Sequence, residues 1–367
     1  MAETLTAKAS PATSTEGPQD AADRAPAPGR STPKFAHFPW SLLGRRAVSG
    51  VIVLFVVSLV VFGATQALPS DPAHAILGRN ATPEQVERVN EALGLDRPVV
   101  SQYLGWLSNM VRGDLGNSLL GRTDFGGGSS DDGRSVWSLL GPRLVSSLML
   151  LAVVAAIAIP ISLILGSMAA VRRDNLLDAS LNGMSIGLGA VPEFVIGMLL
   201  TIIFATNVLA WLPAVVTFQA GEAPFEHLSE LILPVATLVL ATVPYLFRIF
   251  RASMIDALES EYVAMARLKG VPERRVVRRH ALPNALLPLI QASGLILIYL
   301  LGGAVVVESI FNYPGMGTLL IDSVGSRDIP TIQGTTMVIA CGVVVFNISC
   351  DVLSVVATPR LRTGGRA

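Results

Sequence analysis

Long runs of hydrophobic residues, separated by shorter polar stretches, follow one another along most of the chain. A helix needs about 20 mostly apolar residues to cross the hydrocarbon core of a bilayer. The segments that meet this requirement are residues 46–67, 144–171, 179–206, 231–252, 284–308 and 331–357. The pattern therefore predicts an all-α polytopic membrane protein with six transmembrane helices.

Prolines lie inside two of these apolar segments. Pro192 falls within the third segment, and Pro234 and Pro244 fall within the fourth. Proline removes a backbone donor and clashes with the preceding helical turn. We therefore expect the third and fourth spans to be interrupted, which membrane helices tolerate where neighbours bond the freed backbone groups.

The composition of the chain agrees with a membrane location. Hydrophobic residues make up 51% of it and charged residues only 15%, which is unusual for a soluble domain. Residues 1–33 differ, being rich in Ala, Pro, Ser and Thr, and the first long apolar run starts near Ala47. A cleaved signal peptide would have its apolar core much earlier. We expect residues 1–38 to form a disordered tail.

The piece between the first two spans, residues 68–143, is long enough to form a small module of its own. The sequence TPEQVERVNEALG predicts a helix in which Thr82 is the N-cap, Gln85 completes a capping box and Gly94 ends the helix. A second helix is predicted from Pro98 to Arg112. Its buried face is expected to contain Val100, Tyr103, Leu104, Leu107 and Val111. The stretch GGGSSDDG at 126–133 is typical of a flexible connector.

The basic residues beside the spans predict the orientation of the chain. They are Arg45 and Arg46, Arg172 and Arg173, the loop between the fourth and fifth spans, and Arg360 and Arg362. If the six spans alternate, all of these fall on one side, which the positive-inside rule assigns to the cytoplasm. The opposite side carries GEAPFEHLSE, which has three acids and no Lys or Arg. We expect a multi-pass protein of the cell inner (cytoplasmic) membrane with both termini in the cytoplasm.

Motifs of soluble enzymes are missing from the sequence. It contains no GxxxxGK[ST] phosphate loop, no HExxH and no Cys/His set with zinc spacing. Cys341 and Cys350 fall on opposite sides of a helix, at about 100° per residue, and cannot pair with each other. We expect no catalytic residue, metal or cofactor on this chain and no nucleic-acid partner. Any ATP hydrolysis that drives it would belong to another subunit.

The densest positive charge is in the internal loop ARLKGVPERRVVRRHALP, which has six basic residues and one acid, Glu273. Before it, an apolar arc of one helix is predicted to contain Met254, Ile255, Leu258, Tyr262 and Met265. Gly270 is a helix stop, and Pro272 is expected to start a short second helix. The second helix has two faces: Arg274, Arg275, Arg278 and Arg279 on one, Val276, Val277 and Ala281 on the other. Charge that only fixes topology or meets lipid headgroups would not need this pattern.

This loop resembles the cytoplasmic EAA loop of binding-protein-dependent ABC importer permeases. That pattern is E-A-A, three residues, Gly, nine residues and I-x-L-P. Aligned on Gly270, Gly, Leu and Pro match, whereas Ala264 stands for the Glu and His280 for the Ile. The resemblance implies an ATPase-coupling surface formed by Ala264, Ala266, Lys269, Gly270, Pro272, Glu273, Arg275, Arg278, His280, Leu282 and Pro283.

Other stretches are similar to the dipeptide/oligopeptide/nickel branch of that family. They are LPSDPA, LGLDRPVVSQYLGWL, RGDLGNSL and GGAVVVESIFNYPGMGTLLIDSV. The similarity runs from about residue 46 to 362. Ser70 stands where the branch usually has Gly, and Thr358 where Asp often precedes PR. Neither difference touches the basic loop.

The resemblance implies a type I ABC importer permease fold and half of a translocation pore. The expected partners are a second homologous permease, two cytoplasmic ABC ATPases that bind ATP and Mg, an extracytoplasmic substrate-binding protein and the lipid bilayer. The expected divisions are a tail at 1–38, the first transmembrane helix at 39–67, the extracytoplasmic module at 68–143, a five-helix core at 144–358 with its coupling loop at 253–283, and a tail at 359–367.

Two acids inside or at the end of spans are candidates for the substrate pathway. Glu193 lies near the middle of the third span beside Pro192, where an ionisable group is expensive. It could contact an ammonium group of cargo, or it could bond carbonyls freed by the proline. Glu308 lies at the outer end of the fifth span, where solvation without a role in transport is the favoured interpretation.

Peptides are the expected cargo, with nickel, glutathione or small oligosaccharides as the alternative in the same class of importer. An ion-coupled secondary transporter would be a different class, and it should contain intramembrane relays of charge and usually inverted repeats. We see one buried Glu and no repeat. An intramembrane enzyme would need a paired nucleophile and base, which the sequence does not offer.

Overall fold

The computed structural model describes residues 40–67, 82–84, 87, 97–118, 134–206, 208–222 and 224–357. The predicted tails at 1–38 and 359–367 and the connector at 126–133 lie outside the described residues. Of the helix predicted at 82–94, only 82–84 and 87 are described, and residues 83, 84 and 87 are helical.

The described residues form helices and no named strand. In chain order they are α1 (Trp40–Gln66), α2 (Val99–Val111), α3 (Val136–Val171), α4 (Leu176–Gly189), α5 (Glu193–Ala205), a 3₁₀ turn (Pro224–His227), α6 (Leu228–Glu259), α7 (Glu261–Leu268), α8 (Glu273–Val276), a π turn (Val277–Ala281), α9 (Leu282–Ile310), α10 (Met316–Ser326) and α11 (Ile329–Ala357). The predicted all-helical class is confirmed for this part of the chain.

Four helices within the described residues are long and apolar enough to cross a membrane, namely α1, α3, α6 and α11. A fifth span results if α4 and α5, which meet at an angle of 100°, are counted as one broken crossing. The segment predicted at 284–308 coincides with α9, of which several side chains are not described. A multi-pass membrane protein is confirmed, and six spans stay a prediction.

The prolines of the third and fourth segments behave differently from each other. Pro192 lies at the break between α4 and α5, as expected. Pro234 and Pro244 lie inside α6, which continues through both for 32 residues, so the predicted interruption there is wrong. α6 is packed against α3, α4, α5 and α9, and this burial holds it in helical form. The hydroxyl of Ser185 in α4 also donates to the carbonyl of Pro244 at 2.8 Å.

The core lies around α6. Leu238, Leu246 and Phe250 of α6 are fully buried in one apolar cluster with residues of α3 and α9. The close approach of α3 depends on Gly166, where an added Cβ would lie 2.8 Å from Phe250 Cδ1. This centre fixes the two helices, α6 and α9, that border the basic loop.

The helix predicted from Pro98 to Arg112 is present as α2, with these two residues as its caps. Its predicted buried face is partly wrong. Tyr103 and Leu107 are half-buried, but Val100, Leu104 and Val111 are exposed. The reason is an aromatic contact with α1, which turns α2 so that a neighbouring arc faces the protein.

Candidate functional site

The basic loop begins where α6 ends at Glu259. Ser260 has extended backbone geometry, with ψ of 150°, and α7 starts directly after it. The apolar arc predicted from Met254 to Met265 is therefore wrong beyond the break. Met254 is buried, but Tyr262 and Met265 are exposed. Since the break shifts the helical register, α7 instead buries Val263 and Ala266 against the core.

Gly270 ends α7 with a left-handed turn. Its φ is +73°, the region that glycine enters without steric penalty. The amide of Gly270 donates to the carbonyl of Arg267 at 2.9 Å, and the amide of Val271 donates to the carbonyl of Ala266 at 3.2 Å. These two bonds are those of a Schellman motif. The predicted glycine stop is confirmed.

The chain turns into α8 at Pro272, which is extended and caps that helix, so the predicted start of a short helix is confirmed. A π turn at Val277–Ala281 then joins α8 directly to α9. The two faces are as predicted, with four exposed arginines opposite Val276 and Ala281, which are buried. The arginine face is thereby presented outward on a short, fixed helix.

An ion pair that the sequence did not reveal closes the turn. Arg267 donates from Nε to Glu273 Oε2 at 3.1 Å and from Nη2 to Oε1 at 2.7 Å. A third bond runs from Arg267 Nη1 to the carbonyl of Leu258 at 3.3 Å. The paired guanidinium holds the pKa of the Glu273 carboxyl below its usual value. One arginine thus ties together the end of α6, α7 and α8.

Most other predicted members of the coupling surface are exposed on this loop. Ala264, Lys269, Pro272 and Pro283 are exposed, and His280 and Leu282 are half-buried. Ala266 is the exception, because it is buried in the core cluster. Ala266 packs α7 against the core.

The first turn of α4 is tied by side chains to the end of α6 that leads into the basic loop. Arg251 donates to both carboxylate oxygens of Asp178, from Nε at 2.5 Å and from Nη2 at 2.6 Å. Beside this pair, Arg173 donates to Glu259, the last residue of α6. The helix that leads to the Pro192 bend is therefore connected through side chains to the base of the basic loop. The two residues of each pair are 73 and 86 positions apart, which sequence patterns do not detect.

Glu193 is the first residue of α5, directly after the bend, and it is half-buried. Its carboxylate lies beside α9, since a Cβ added to Gly303 would be 3.0 Å from Glu193 Oε1. The position agrees with both interpretations, contact with cargo and support of the bend.

Glu308 is only 1% exposed, so its interpretation as a solvated acid is wrong. The hydroxyl of Ser147 donates to Oε1 at 2.6 Å, and the amide of Gly317 donates to Oε2 at 2.7 Å. The Ser147 hydroxyl also accepts from the amide of Met316 at 2.8 Å. Because the chain reverses after α9, the carboxylate reaches the first turn of α10 and satisfies amides there.

Two glycines make room for this carboxylate. A Cβ on Gly315 would overlap the carboxyl group of Glu308 itself, and a Cβ on Gly317 would lie 2.9 Å from Oε2. The site borders an apolar cavity of about 330 Å³ between α3, α9, α10 and α11. The motif ESIFNYPGMG thus contains both the buried acid and the two glycines that leave room for its carboxylate.

Comparison with known proteins places these features in a family. The family model described as "Binding-protein-dependent transport system inner membrane component" matches residues 162–363. A second model, "Binding-prot-dependent transport system membrane comp, N-term", matches residues 40–151. The first match contains the whole basic loop and the Glu308 motif.

Individual relatives cover nearly the same length. A Brucella abortus (strain 2308) protein named "Putative peptide transport system permease protein" is 35% identical over 88% of this chain and 99% of its own. An oligopeptide transport system permease protein of Bacillus subtilis (strain 168) is 36% identical over 86% and 98%. A glutathione transport system permease protein of Escherichia coli (strain K12) is 36% identical over 87% and 97%.

Proposed function

The chain belongs to the family of binding-protein-dependent transport system inner membrane components, and on that premise we propose that it is the permease subunit of an ATP-driven importer of di- and oligopeptides. The chain itself forms half of the translocation pore. The ATPase activity belongs to other subunits.

The observation that carries this proposal is the shape of the loop between α6 and α9. A Schellman turn, an ion pair across it and a buried apolar face hold the short helix α8 in one orientation. The opposite face presents exposed arginines. A rigid cationic helix on the cytoplasmic side is suited to dock in an acidic recess of an ATPase, because complementary charge fixes register and orientation.

The assembly that follows has a second homologous permease, two cytoplasmic ABC ATPases and an extracytoplasmic binding protein. The positive-inside distribution supports a cytoplasmic basic loop and cytoplasmic termini. With α9 counted as a span and α4 with α5 as one broken span, the chain crosses the membrane six times. The broken span and α9 meet at Glu193, which makes their contact a candidate lining of the pathway.

Peptide cargo is supported by relatives whose names refer to peptide, oligopeptide and glutathione transport. Glutathione, itself a small peptide, is the alternative closest to these names. Nickel or small oligosaccharides are the remaining alternatives within the same importer class.

Reconstitution tests this function directly. The affinity-tagged chain is co-expressed with its partner permease and ATPase subunits, and the complex is purified and placed in liposomes. The binding protein is then added, and uptake of a labelled dipeptide is measured. We expect uptake to require both the binding protein and ATP on the cytoplasmic side. Uptake that persists without ATP and follows an imposed proton or sodium gradient would identify a secondary transporter instead.

A further inference from the structure

The helix α2 carries more apolar surface than the protein covers. Its sequence, VVSQYLGWLSNMV, has no charged residue in 13 positions. At about 100° per residue, its apolar side chains fill one continuous arc of the helix. The half-buried part of that arc contains Tyr103, Trp106, Leu107 and Met110. The rest contains Val100, Leu104 and Val111, which are 70%, 58% and 80% exposed and which we call the open stripe.

The covered part of the arc packs on α1. The hydroxyls of Tyr103 and Ser58 are 2.8 Å apart, and the rings of Tyr103 and Phe62 meet edge to face at 5.3 Å. The Trp106 ring lies 5.7 Å from that of Phe62. Ser58 and Phe62 are both buried by these contacts and their neighbours. α2 is therefore held against α1 by an aromatic cluster.

The position of this contact along α1 sets its depth. Ser58 precedes the end of α1 at Gln66 by eight residues, which is about 12 Å at about 1.5 Å per residue. Beside it on α1, Leu59 and Val60 are exposed side chains of a membrane-spanning helix. α1 therefore presents exposed apolar side chains at the same level along its length as its contact with α2.

The remaining arc of α2 is polar. Ser101, Ser108 and Asn109 are exposed on the side opposite the contact with α1. Arg97 and Arg112 flank the helix and are also exposed. α2 therefore has one arc that packs on α1, one that is apolar and exposed, and one that is polar, and cations flank both of its ends. This distribution is typical of a helix at the boundary between lipid and water.

We propose that α2 is an interfacial helix of the outer leaflet. Its open stripe is inserted among acyl chains, its polar arc faces water, and Arg97 and Arg112 lie at the level of the lipid phosphates. The helix then anchors the extracytoplasmic module to the membrane surface beside α1. This inference needs only that α1 spans the bilayer with its N-terminal end in the cytoplasm, so it holds or fails independently of the cargo and of the ATPase.

Site-directed spin labels test the proposal. Single cysteines replace Leu104 and, as matched control on the polar arc about 140° around the helix, Asn109, in a background with Cys341→Ser and Cys350→Ser. The importer is reconstituted in phosphatidylethanolamine and phosphatidylglycerol vesicles, and collisions with oxygen and with a water-soluble nickel chelate are measured. We expect oxygen to dominate at Leu104 and the nickel chelate to dominate at Asn109.

Two results would overturn it. A label at Leu104 that collides with the nickel chelate, and is protected only when the binding protein is added, would make the open stripe a protein-docking surface. A label inaccessible to both reagents without the binding protein would mean that the partner permease covers it. Leu104→Asp and Asn109→Asp provide a second readout. Quenching of Trp fluorescence by bromolipids should decrease in the first variant and persist in the second.

Discussion

Glu308 illustrates what a single side chain does at a reversal of the chain. A carboxylate at 1% exposure is expensive unless donors surround it. Here Ser147 and the amide of Gly317 supply hydrogen bonds, at 2.6 and 2.7 Å. The acid joins α9, α3 and the first turn of α10 through one group. These bonds make it a structural cap of α10, and a role in the substrate pathway stays a prediction.

Replacement of Glu308 by Gln should lower the stability of the protein. The amide can accept only one of the two bonds and leaves a buried donor unsatisfied, which costs about 1–3 kcal/mol. Gly315→Ala should have a similar effect, because the added methyl takes the space of the carboxylate. The measurement is the melting temperature in detergent, with the exposed Glu226→Gln as control. An unchanged melting temperature together with reduced uptake would instead indicate a contact with cargo.

Glu193 offers the complementary case, an acid whose position agrees with transport. If it contacts an ammonium group of cargo, Glu193→Gln should lower peptide uptake while basal ATP hydrolysis and assembly are retained, because only the charge is lost. Gly303→Ala brings a methyl 3.0 Å from Glu193 Oε1, and we expect it to change peptide uptake as well. Wild-type uptake by Glu193→Gln in proteoliposomes would contradict a contact with cargo. Support of the bend would then be the remaining role of Glu193.

At the scale of elements, the basic loop is a series of short helical segments, and a separate local feature fixes the angle at each joint. Ser260 breaks the helix, Gly270 reverses it, and Arg267 with Glu273 closes the reversal. Val276 and Ala281 are buried in the core cluster, so they pack this segment against the core. Each joint is local, but the direction in which the arginine face points depends on all of them.

The turn is tested by a series at Gly270. Nothing lies within 4 Å of an added Cβ, so a side chain there is opposed by backbone strain and not by a clash. A valine at φ of +73° costs about 1 kcal/mol or more. We expect Gly270→Val to insert normally but to lose uptake and substrate-stimulated ATP hydrolysis together, with less ATPase recovered on purification.

Two variants control that series. Gly270→Asn should retain more activity than Gly270→Val, because Asn tolerates the left-handed region. Gly44→Val makes the same exchange at an open helical position of α1 and should be silent. If Gly270→Val transports like the parent, the geometry of the turn does not matter and the charge of the loop serves topology alone.

At the scale of the whole molecule, α6 lies at the centre of the core, and the basic loop directly continues from its C-terminal end. Asp178 and Arg251, with Arg173 and Glu259, connect the start of the broken span to the same end of α6. α8 and the helix that leads to Glu193 are therefore both attached to the same end of α6, through Arg267 and Arg173.

The orientation of the molecule predicts a labelling pattern. In a background without Cys341 and Cys350, cysteines at Ser129 and Glu222 should react with a membrane-impermeant maleimide in intact cells. Cysteines at Ser260 and Thr363 should react only after permeabilisation, because the positive-inside rule assigns the basic residues beside the spans to the cytoplasm. External labelling at position 260 would contradict the docking of an ATPase on this loop.

The sequence by itself determined the features that depend on neighbours along the chain. The apolar runs predicted helices that include the four long enough to cross a membrane, and Gly270 and Pro272 predicted a turn whose φ and capping are as expected. The alternation of Arg and Val predicted the two faces of α8. These succeed because hydropathy, helical period and backbone restriction are local properties.

Tertiary structure alone decided the features that join distant residues. Ser147 and Glu308 are 161 positions apart, and their bond turns an acid expected in water into a buried cap. Tyr103 and Ser58 are 45 positions apart, and their contact selects which arc of α2 the protein covers. Packing around α6 likewise keeps that helix continuous through two prolines. Such outcomes depend on which surfaces meet, and local propensity is overridden because burial against other helices contributes more free energy than any single residue's preference.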